Sequence, residues 1–176
     1  MKYLIIVDMQ KDFIGGSLGS EAAEKIVPAV CEKIREYKND GGRIFMTLDS
    51  HFKDYLETSE GQKLPVMHCI KGTEGWKPDE RVQAALDGCA EVFEKSTFGS
   101  VKLASYLSEV VKEGDEIELC GLCTDICVVS NALLIKAFCP ECEVICDALC
   151  CAGVTEESHN AALETMRSCQ CVIKNF

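Results

Sequence analysis

The sequence predicts an α/β fold, a Rossmann-like three-layer sandwich in which a mostly parallel sheet of five to six strands carries helices on both faces. Three observations predict it: short apolar runs alternate with segments of helical periodicity, the first run is almost unbroken, and no repeat or linker interrupts the series. Strands joined through helices run parallel and lie buried on both faces. A chain of 176 residues suits one domain over residues 1–176.

Six segments are predicted as strands. The first is an apolar run that ends in Asp8, as expected of a central strand with an acid at its carboxyl end. The second ends in Asp49, and Lys95 closes the third. The six span residues 2–8, 43–49, 90–94, 115–121, 143–147 and 171–174.

Five segments are predicted as helices from apolar residues at helical spacing. In the longest, Ile26, Val30 and Ile34 recur every four residues, and the Asn-Asp-Gly-Gly run at 39–42 ends it. Thr155 is a suitable N-cap for the last helix. The five span residues 21–38, 78–86, 101–111, 125–138 and 155–169, which leaves loops at 9–19, 50–77 and 148–154. A loop as long as 50–77 is usually functional.

Composition excludes several classes of partner. A net charge of −11 argues against nucleic acid and anionic membrane surfaces. No run approaches the ~20 apolar residues that a bilayer span needs. The 13 cysteines come without an export signal, which predicts a cytoplasmic protein whose thiols stay reduced and mostly fill the core.

The stretch from Glu118 to Val129 contains the most distinctive pattern of the chain. A strand ends at Gly121, Thr124 and Asp125 are helix-capping types, and Cys127 then falls in the first helical turn. Unpaired N–H groups and the helix dipole favour a thiolate at such a position. The pattern therefore predicts that Cys127 is a nucleophile.

The ends of the predicted strands supply partners for this thiol. Asp8, Asp49 and Lys95 stand at or just after three strands, and the fourth leads to Cys127. The carboxyl ends of parallel strands lie on one edge, where open α/β sheets bind their ligands. We therefore expect these four residues to converge.

Five segments resemble a known family, the isochorismatase-like cysteine hydrolases, and within it most closely the nicotinamidases. They are Val7-Asp8-Met9-Gln10-Lys11-Asp12-Phe13, Asp49-Ser50-His51, His68-Cys69-Ile70-Lys71-Gly72-Thr73, Glu94-Lys95-Ser96 and Cys120-Gly121-Leu122-Cys123-Thr124-Asp125-Ile126-Cys127-Val128. The resemblance covers the whole chain in order. It implies a catalytic triad of Asp8, Lys95 and Cys127, a cis peptide at Leu122–Cys123, and an oxyanion hole made by the backbone N–H groups of Cys123 and Cys127.

The implied reaction is hydrolysis of nicotinamide, or of a similar small carboxamide, to the acid and ammonia through a thioester on Cys127. Asp8 would accept the thiol proton and return it to the leaving amine. Lys95 would keep the cluster ionised. Members of the family are often oligomers, so a homo-oligomer is expected.

A divalent metal is implied by the same resemblance. Asp49 and His51 stand two apart, as on one face of an extended segment, and His68 follows seventeen residues later. Such ligands suit Zn²⁺, and also Fe²⁺ or Mn²⁺. Glu60 is the preferred further ligand and Glu57 the competing one.

Two aromatic residues are candidates for packing against a flat substrate ring. Phe13 matches the aromatic residue that follows the Asp-x-Gln-x-Asp motif of the family. Trp76 is the only tryptophan of the chain, and a role in the core or at the rim is equally open.

Two other functions stay open at this point. A family member of this kind could cleave another small amide, a carbamoyl compound or a ureide. Alternatively, Cys139-Pro140-Glu141-Cys142 and the cysteines at 120, 123 and 127 could make the chain a Zn or Fe–S binding module. His159 is predicted as a helix-surface or packing residue.

Overall fold

The computed structural model describes residues 1–176 and contains one parallel sheet of six strands. The strands are β1 (Lys2–Val7), β2 (Arg43–Asp49), β3 (Glu91–Lys95), β4 (Glu116–Leu122), β5 (Glu143–Ala152) and β6 (Val172–Lys174). Their order across the sheet is β3-β2-β1-β4-β5-β6. The central strand β1 is almost entirely buried, because Leu4, Ile5 and Ile6 have no exposed surface. All carboxyl ends lie on one edge of the sheet.

The helices form two groups around this sheet. They are α1 (Lys11–Ile14), α2 (Glu21–Asn39), α3 (Ser59–Lys63), α4 (Glu80–Leu86), α5 (Val101–Val110), α6 (Val129–Phe138) and α7 (Glu156–Ser168). Helix α2 packs against α4 and the sheet, whereas α5, α6 and α7 pack in series with one another. The predicted parallel α/β sandwich is confirmed.

Three predicted loops contain regular structure. Residues 9–19 include α1, and residues 50–77 include a 3₁₀ turn at Tyr55–Glu57 followed by α3. These elements are too short for a helical period to show in sequence. Strand β5 runs on to Ala152, well past residue 147, because the register with β4 shifts between Leu119 and Gly121 and lets Cys151 pair with Gly121.

No helix of the protein combines the length and the apolar character that crossing a membrane requires. A cytoplasmic location and a homo-oligomeric state stay predictions.

Candidate active site

The turn after β4 positions Cys127. Gly121 has φ +120°, and a Cβ there would stand 2.1 Å from the carbonyl oxygen of Val7, so glycine is required. The Leu122–Cys123 peptide is cis, as the resemblance implied. A π-helical turn, Thr124–Val128, follows and continues directly into α6. Cys127 therefore lies at the carboxyl edge of the sheet, as predicted.

The prediction that Thr124 and Asp125 cap the helix is wrong. The N–H groups of Ile126 and Val128 donate to the carbonyl of Cys123, so the turn begins without a side-chain cap. Thr124 Oγ1 instead lies 2.8 Å from His159 Nδ1 on α7. Asp125 Oδ1 accepts a 3.0 Å hydrogen bond from the backbone N–H of Val154. These side chains fasten the turn to the two neighbouring segments.

Asp8, Lys95 and Cys127 form a buried group that we call the nucleophile cluster. Lys95 Nζ lies 2.7 Å from Asp8 Oδ2 and 3.4 Å from Cys127 Sγ. Asp8 has φ +48°, and its Oδ1 accepts a 2.7 Å hydrogen bond from Thr47 Oγ1. None of the three residues is more than 6% exposed. The predicted convergence therefore occurs with direct contacts.

The electrostatics of this cluster differ from the prediction at one point. Burial, followed by the charge of Asp8, raises the pKa of Cys127 well above its usual value, and the opposing effect of Lys95 is smaller. The helix position therefore does not by itself make a thiolate. Burial also raises the pKa of Asp8 against the lowering effect of Lys95. Burial lowers the pKa of Lys95, but the charges of Asp8, Cys127 and Asp49 raise it overall.

The protonation states follow from these shifts. Lys95 stays an ammonium, and Cys127 rests as a thiol beside the Asp8 carboxyl group. A carboxylate with a raised pKa is a stronger base than an exposed aspartate, which suits Asp8 to accept a proton from a thiol whose own pKa is also raised.

Asp49, His51, Glu60 and His68 form a second group that we call the histidine cluster. Asp49 Oδ2 lies 2.9 Å from His51 Nε2 and 3.5 Å from His68 Nε2. Glu60 Oε1 lies 3.6 Å from His51 Nε2 and 3.9 Å from His68 Nε2. The structure thus brings Glu60 to the histidines, whereas Glu57 is exposed at the end of the 3₁₀ turn.

The donor atoms of this cluster fit a metal ion. Asp49, His51 and His68 offer ligand atoms within 4.8 Å of one another. His51 Nε2 is buried and makes no well-aligned hydrogen bond, although Asp49 Oδ2 lies 2.9 Å away. His68 Nδ1 lies 2.8 Å from the carbonyl oxygen of Val66, which leaves Nε2 free to act as a ligand. Burial would raise the pKa of Asp49, but the adjacent imidazoles of His51 and His68, together with the charge of Lys95, lower it below its usual range.

Asp49 links the two clusters. Its Oδ1 lies 3.2 Å from Lys95 Nζ, while its Oδ2 faces His51 and His68. Gln10 holds this strand end by accepting a hydrogen bond from the N–H of Asp49 and donating one to its carbonyl.

A cavity of about 490 Å³ opens beside both clusters, and we call it the inner cavity. Cys127, Cys123, Asp49 and His68 line it, and Phe13 lies in its wall as predicted. The structure does not bring Trp76 to this cavity. The indole N–H of Trp76 donates instead to Ser50 Oγ at 2.8 Å, and its ring packs on the core.

Sequence reasoning missed several residues of the site. The apolar wall also includes Leu18, Leu64, Leu122, Ile126 and Val154, which come from loops, a strand end and the π-helical turn and show no common periodicity. Asn131 is 1% exposed and joins the Cys127 carbonyl to the 98–100 segment through three hydrogen bonds. Asn131 could have been noticed in the sequence, because it is a polar residue among apolar ones on the predicted helix 125–138.

The cysteines do not form a Zn or Fe–S site, so that alternative is wrong. The only group of three or more potential ligands is Asp49, His51 and His68. Cys146 and Cys151 lie 3.7 Å apart as a pair, and all 13 cysteines are free. A structural Zn²⁺ site needs about four ligands.

Comparisons with known proteins agree with this geometry. The family model described as the Isochorismatase domain matches residues 2–174. The uncharacterized isochorismatase family protein PncA of Bacillus subtilis (strain 168) is 27% identical in an alignment 175 positions long that covers 92% of each chain.

Solved structures extend the comparison. The nicotinamidase/pyrazinamidase PncA from Bacillus subtilis has a TM-score of 0.86 at 25% identity over 99% of both chains. The pyrazinamidase of Pyrococcus horikoshii in complex with zinc has a TM-score of 0.81 at 29% identity over 99% of both chains.

Proposed function

The chain belongs to the isochorismatase family, and on that premise we propose that it hydrolyses nicotinamide, or a similar small neutral aromatic carboxamide, to the acid and ammonia. The observation that carries the proposal is the contact of Lys95 with both Asp8 and Cys127 beside a cavity that also reaches Asp49 and His68. Relatives described as nicotinamidase or pyrazinamidase support it.

In the proposed first half-reaction, Cys127 Sγ attacks the carbonyl carbon of the amide while Asp8 accepts the thiol proton. The backbone N–H groups of Cys123 and Cys127 would stabilise the negative oxygen, and one such donor is typically worth ~3–4 kcal/mol. The N–H of Cys123 donates to no backbone carbonyl, which supports this role. Asp8 then protonates the leaving nitrogen, the C–N bond breaks, and ammonia departs from a thioester.

In the second half-reaction, water attacks the thioester carbonyl and Asp8 accepts a proton from that water. The C–S bond breaks, the acid is released, and the sulfur of Cys127 recovers its proton from Asp8. Throughout, Lys95 compensates the negative charge that moves between Asp8 and Cys127.

The histidine cluster has a positioning role in this proposal. Asp49, His51, Glu60 and His68 would hold a divalent ion, and we propose Zn²⁺ because two imidazoles and two carboxylates suit it, with Fe²⁺ or Mn²⁺ as alternatives. Such an ion supplies an electron-pair acceptor that orients a ring nitrogen of the substrate.

The inner cavity favours a neutral substrate over an acidic one. Its only charged lining residues besides the histidine are Asp49 and Glu60, and no arginine or lysine lines it. A carbamoyl or ureide substrate that carries a carboxylate would meet no arginine or lysine side chain there, and the proposed metal ion is assigned to the ring nitrogen. An unpaired buried charge is costly. The apolar wall suits a flat ring.

Ammonia release from a panel of small amides tests the proposal. Nicotinamide and pyrazinamide, with Zn²⁺, Fe²⁺ or Mn²⁺ supplied, are expected to be turned over, and carboxylate-bearing carbamoyl compounds are not. Failure of every aromatic amide under all metal conditions, or turnover of the acidic substrates alone, would contradict it.

A further inference from the structure

A second cavity lies beside the first, and we call it the outer cavity. Its volume is about 720 Å³, and it shares four wall residues with the inner cavity: Glu60, Leu64, Phe98 and Ile126. The proposed reaction assigns no role to this space.

The histidine cluster stands in the wall between the two cavities. Asp49 and His68 line only the inner cavity, His51 lines only the outer one, and Glu60 lines both. The Glu60 side chain is 23% exposed, whereas the other three side chains are no more than 6% exposed. The ligand set can therefore be approached from two sides.

The two sides differ in chemistry. Nine of the sixteen residues that line the inner cavity are hydrophobic. The outer cavity is lined by five serine and threonine side chains, those of Ser50, Thr58, Ser59, Ser96 and Thr97, and by the carboxylates of Asp54 and Glu60. Lys63 is its only lysine or arginine. A divalent cation in water is coordinated by water oxygen atoms, and oxygen atoms along a path can replace those waters one after another.

We propose that the outer cavity is a vestibule for a hydrated divalent cation, through which the metal enters and leaves the histidine cluster, while the inner cavity receives only the organic substrate. The inference rests on the metal assignment of the proposed function. It predicts that metal exchange and substrate binding use opposite faces of the same ligands.

Metal release measures this directly and without reference to activity. The zinc-loaded protein is mixed with excess colorimetric chelator, and the release rate is compared for variants that fill each cavity. Thr97→Trp fills the outer cavity and Val154→Trp fills the mouth of the inner one, and both positions are exposed. Gln62→Trp, on the exposed surface and in neither lining, is the matched control. Ser59→Trp is a second outer-cavity variant should Thr97→Trp fold poorly.

We expect Thr97→Trp and Ser59→Trp to slow both release and uptake of zinc by about fivefold or more, because the entry path is obstructed while the ligands are intact. The zinc dissociation constant should then stay within about twofold of the parent, as should the rates of Val154→Trp and Gln62→Trp.

Two results would overturn the vestibule and leave the metal assignment intact. One is slower zinc exchange in Val154→Trp with no effect of the outer-cavity variants, and the other is unchanged zinc exchange in all four variants. A protein that binds no zinc, iron or manganese would instead remove the metal assignment itself, and the vestibule with it.

Discussion

The nucleophile cluster and the histidine cluster occupy the same edge of the sheet but are built by different means. Asp8 and Lys95 lie at the ends of β1 and β3, and Cys127 follows β4 on a turn held by hydrogen bonds. The histidine cluster takes only Asp49 from a strand, and its other members come from the 50–77 segment. The proposed catalytic groups are placed by the regular elements of the sheet, whereas the proposed metal ligands depend on how one long segment is folded.

That segment has its own supports. Tyr55 is fully buried, and its ring centroid lies 4.6 Å from that of His51 and 5.0 Å from that of His68. Asp12 Oδ2 accepts a 2.7 Å hydrogen bond from the N–H of Cys69, next to His68. The comparison therefore predicts that substitutions in the nucleophile cluster abolish ammonia release. Substitutions in the histidine cluster should lower metal affinity by an amount that depends on the residue replaced.

Replacement of the nucleophile should have the largest effect. We expect Cys127→Ala to lower the rate of ammonia release by at least about 10⁴-fold, since no other group can form the thioester. Cys123→Ala keeps the backbone N–H of the proposed oxyanion hole and should retain most activity. Steady-state assays on nicotinamide measure both, and equal losses in the two variants would argue against Cys127 as the nucleophile.

Removal of the buried cation should cost both activity and stability. Lys95→Met leaves Asp8 and Asp49 without their shared ammonium, and the loss of one partner from a buried ion pair typically costs about 3–5 kcal/mol. Urea unfolding of the metal-free protein measures the change. The Asp8→Asn/Lys95→Met double variant should recover part of the loss, and a double variant no more stable than Lys95→Met would show that the pair is not coupled.

Replacement of a proposed metal ligand should weaken metal binding without abolishing it. We expect Glu60→Gln to weaken zinc binding by about 10-fold or more, because its carboxylate faces both histidines. Glu57→Gln is the matched control, with the same change at an exposed residue of the preceding turn, and should bind zinc like the parent. Competition with a chelator of known affinity measures both. If Glu57→Gln weakened zinc binding more than Glu60→Gln did, Glu57 would be the ligand instead of Glu60.

The difference between strand-end residues and residues placed by distant segments also explains which features could be predicted from the sequence. The convergence of Asp8, Lys95 and Cys127 follows from the parallel order of the strands, which alternating helix and strand patterns already indicate. The raised pKa of Cys127 cannot be inferred from the strand order, because it depends on burial by elements that are distant in sequence. Strand-end positions were therefore predictable from sequence, while the protonation state of the thiol was not.

The rest of the inner cavity illustrates the same limit. Val154 and Leu64 reach its wall only because β5 is longer than its apolar run and because α3 folds back over the site, and neither feature has a periodic signature. The substrate-binding prediction for Trp76 had a different weakness. A single residue outside a periodic pattern carries no information about which side of the 50–77 segment its side chain faces, and the indole faces Ser50.

A milder change sharpens the assignment of Asp8 as base. Thr47→Val removes the hydroxyl that donates to Asp8 Oδ1, a bond that lowers the pKa of this carboxyl. The pKa should therefore rise further, and the acid limb of the kcat/KM profile should move to higher pH, because Asp8 must be ionised to accept the proton. At a fixed pH on that limb we expect about a fivefold loss, with little change on the plateau.

Thr47→Ser keeps the hydroxyl and should leave the acid limb in place. A uniform loss at every pH in Thr47→Val would mean that the hydroxyl acts on packing and not on the base.

The smallest expected effects separate the two aromatic candidates. Phe13 lines the inner cavity and its ring lies 5.5 Å from that of His68, so Phe13→Leu should raise the KM for nicotinamide about threefold through loss of aromatic contact. Trp76→Phe removes the hydrogen bond to Ser50 Oγ from a residue outside the cavity, and its KM should stay within about twofold of the parent. Initial-rate measurements over a range of nicotinamide concentrations compare them. A larger KM change for Trp76→Phe than for Phe13→Leu would place the ring-binding wall on the other side of the Asp49-Ser50-His51 segment.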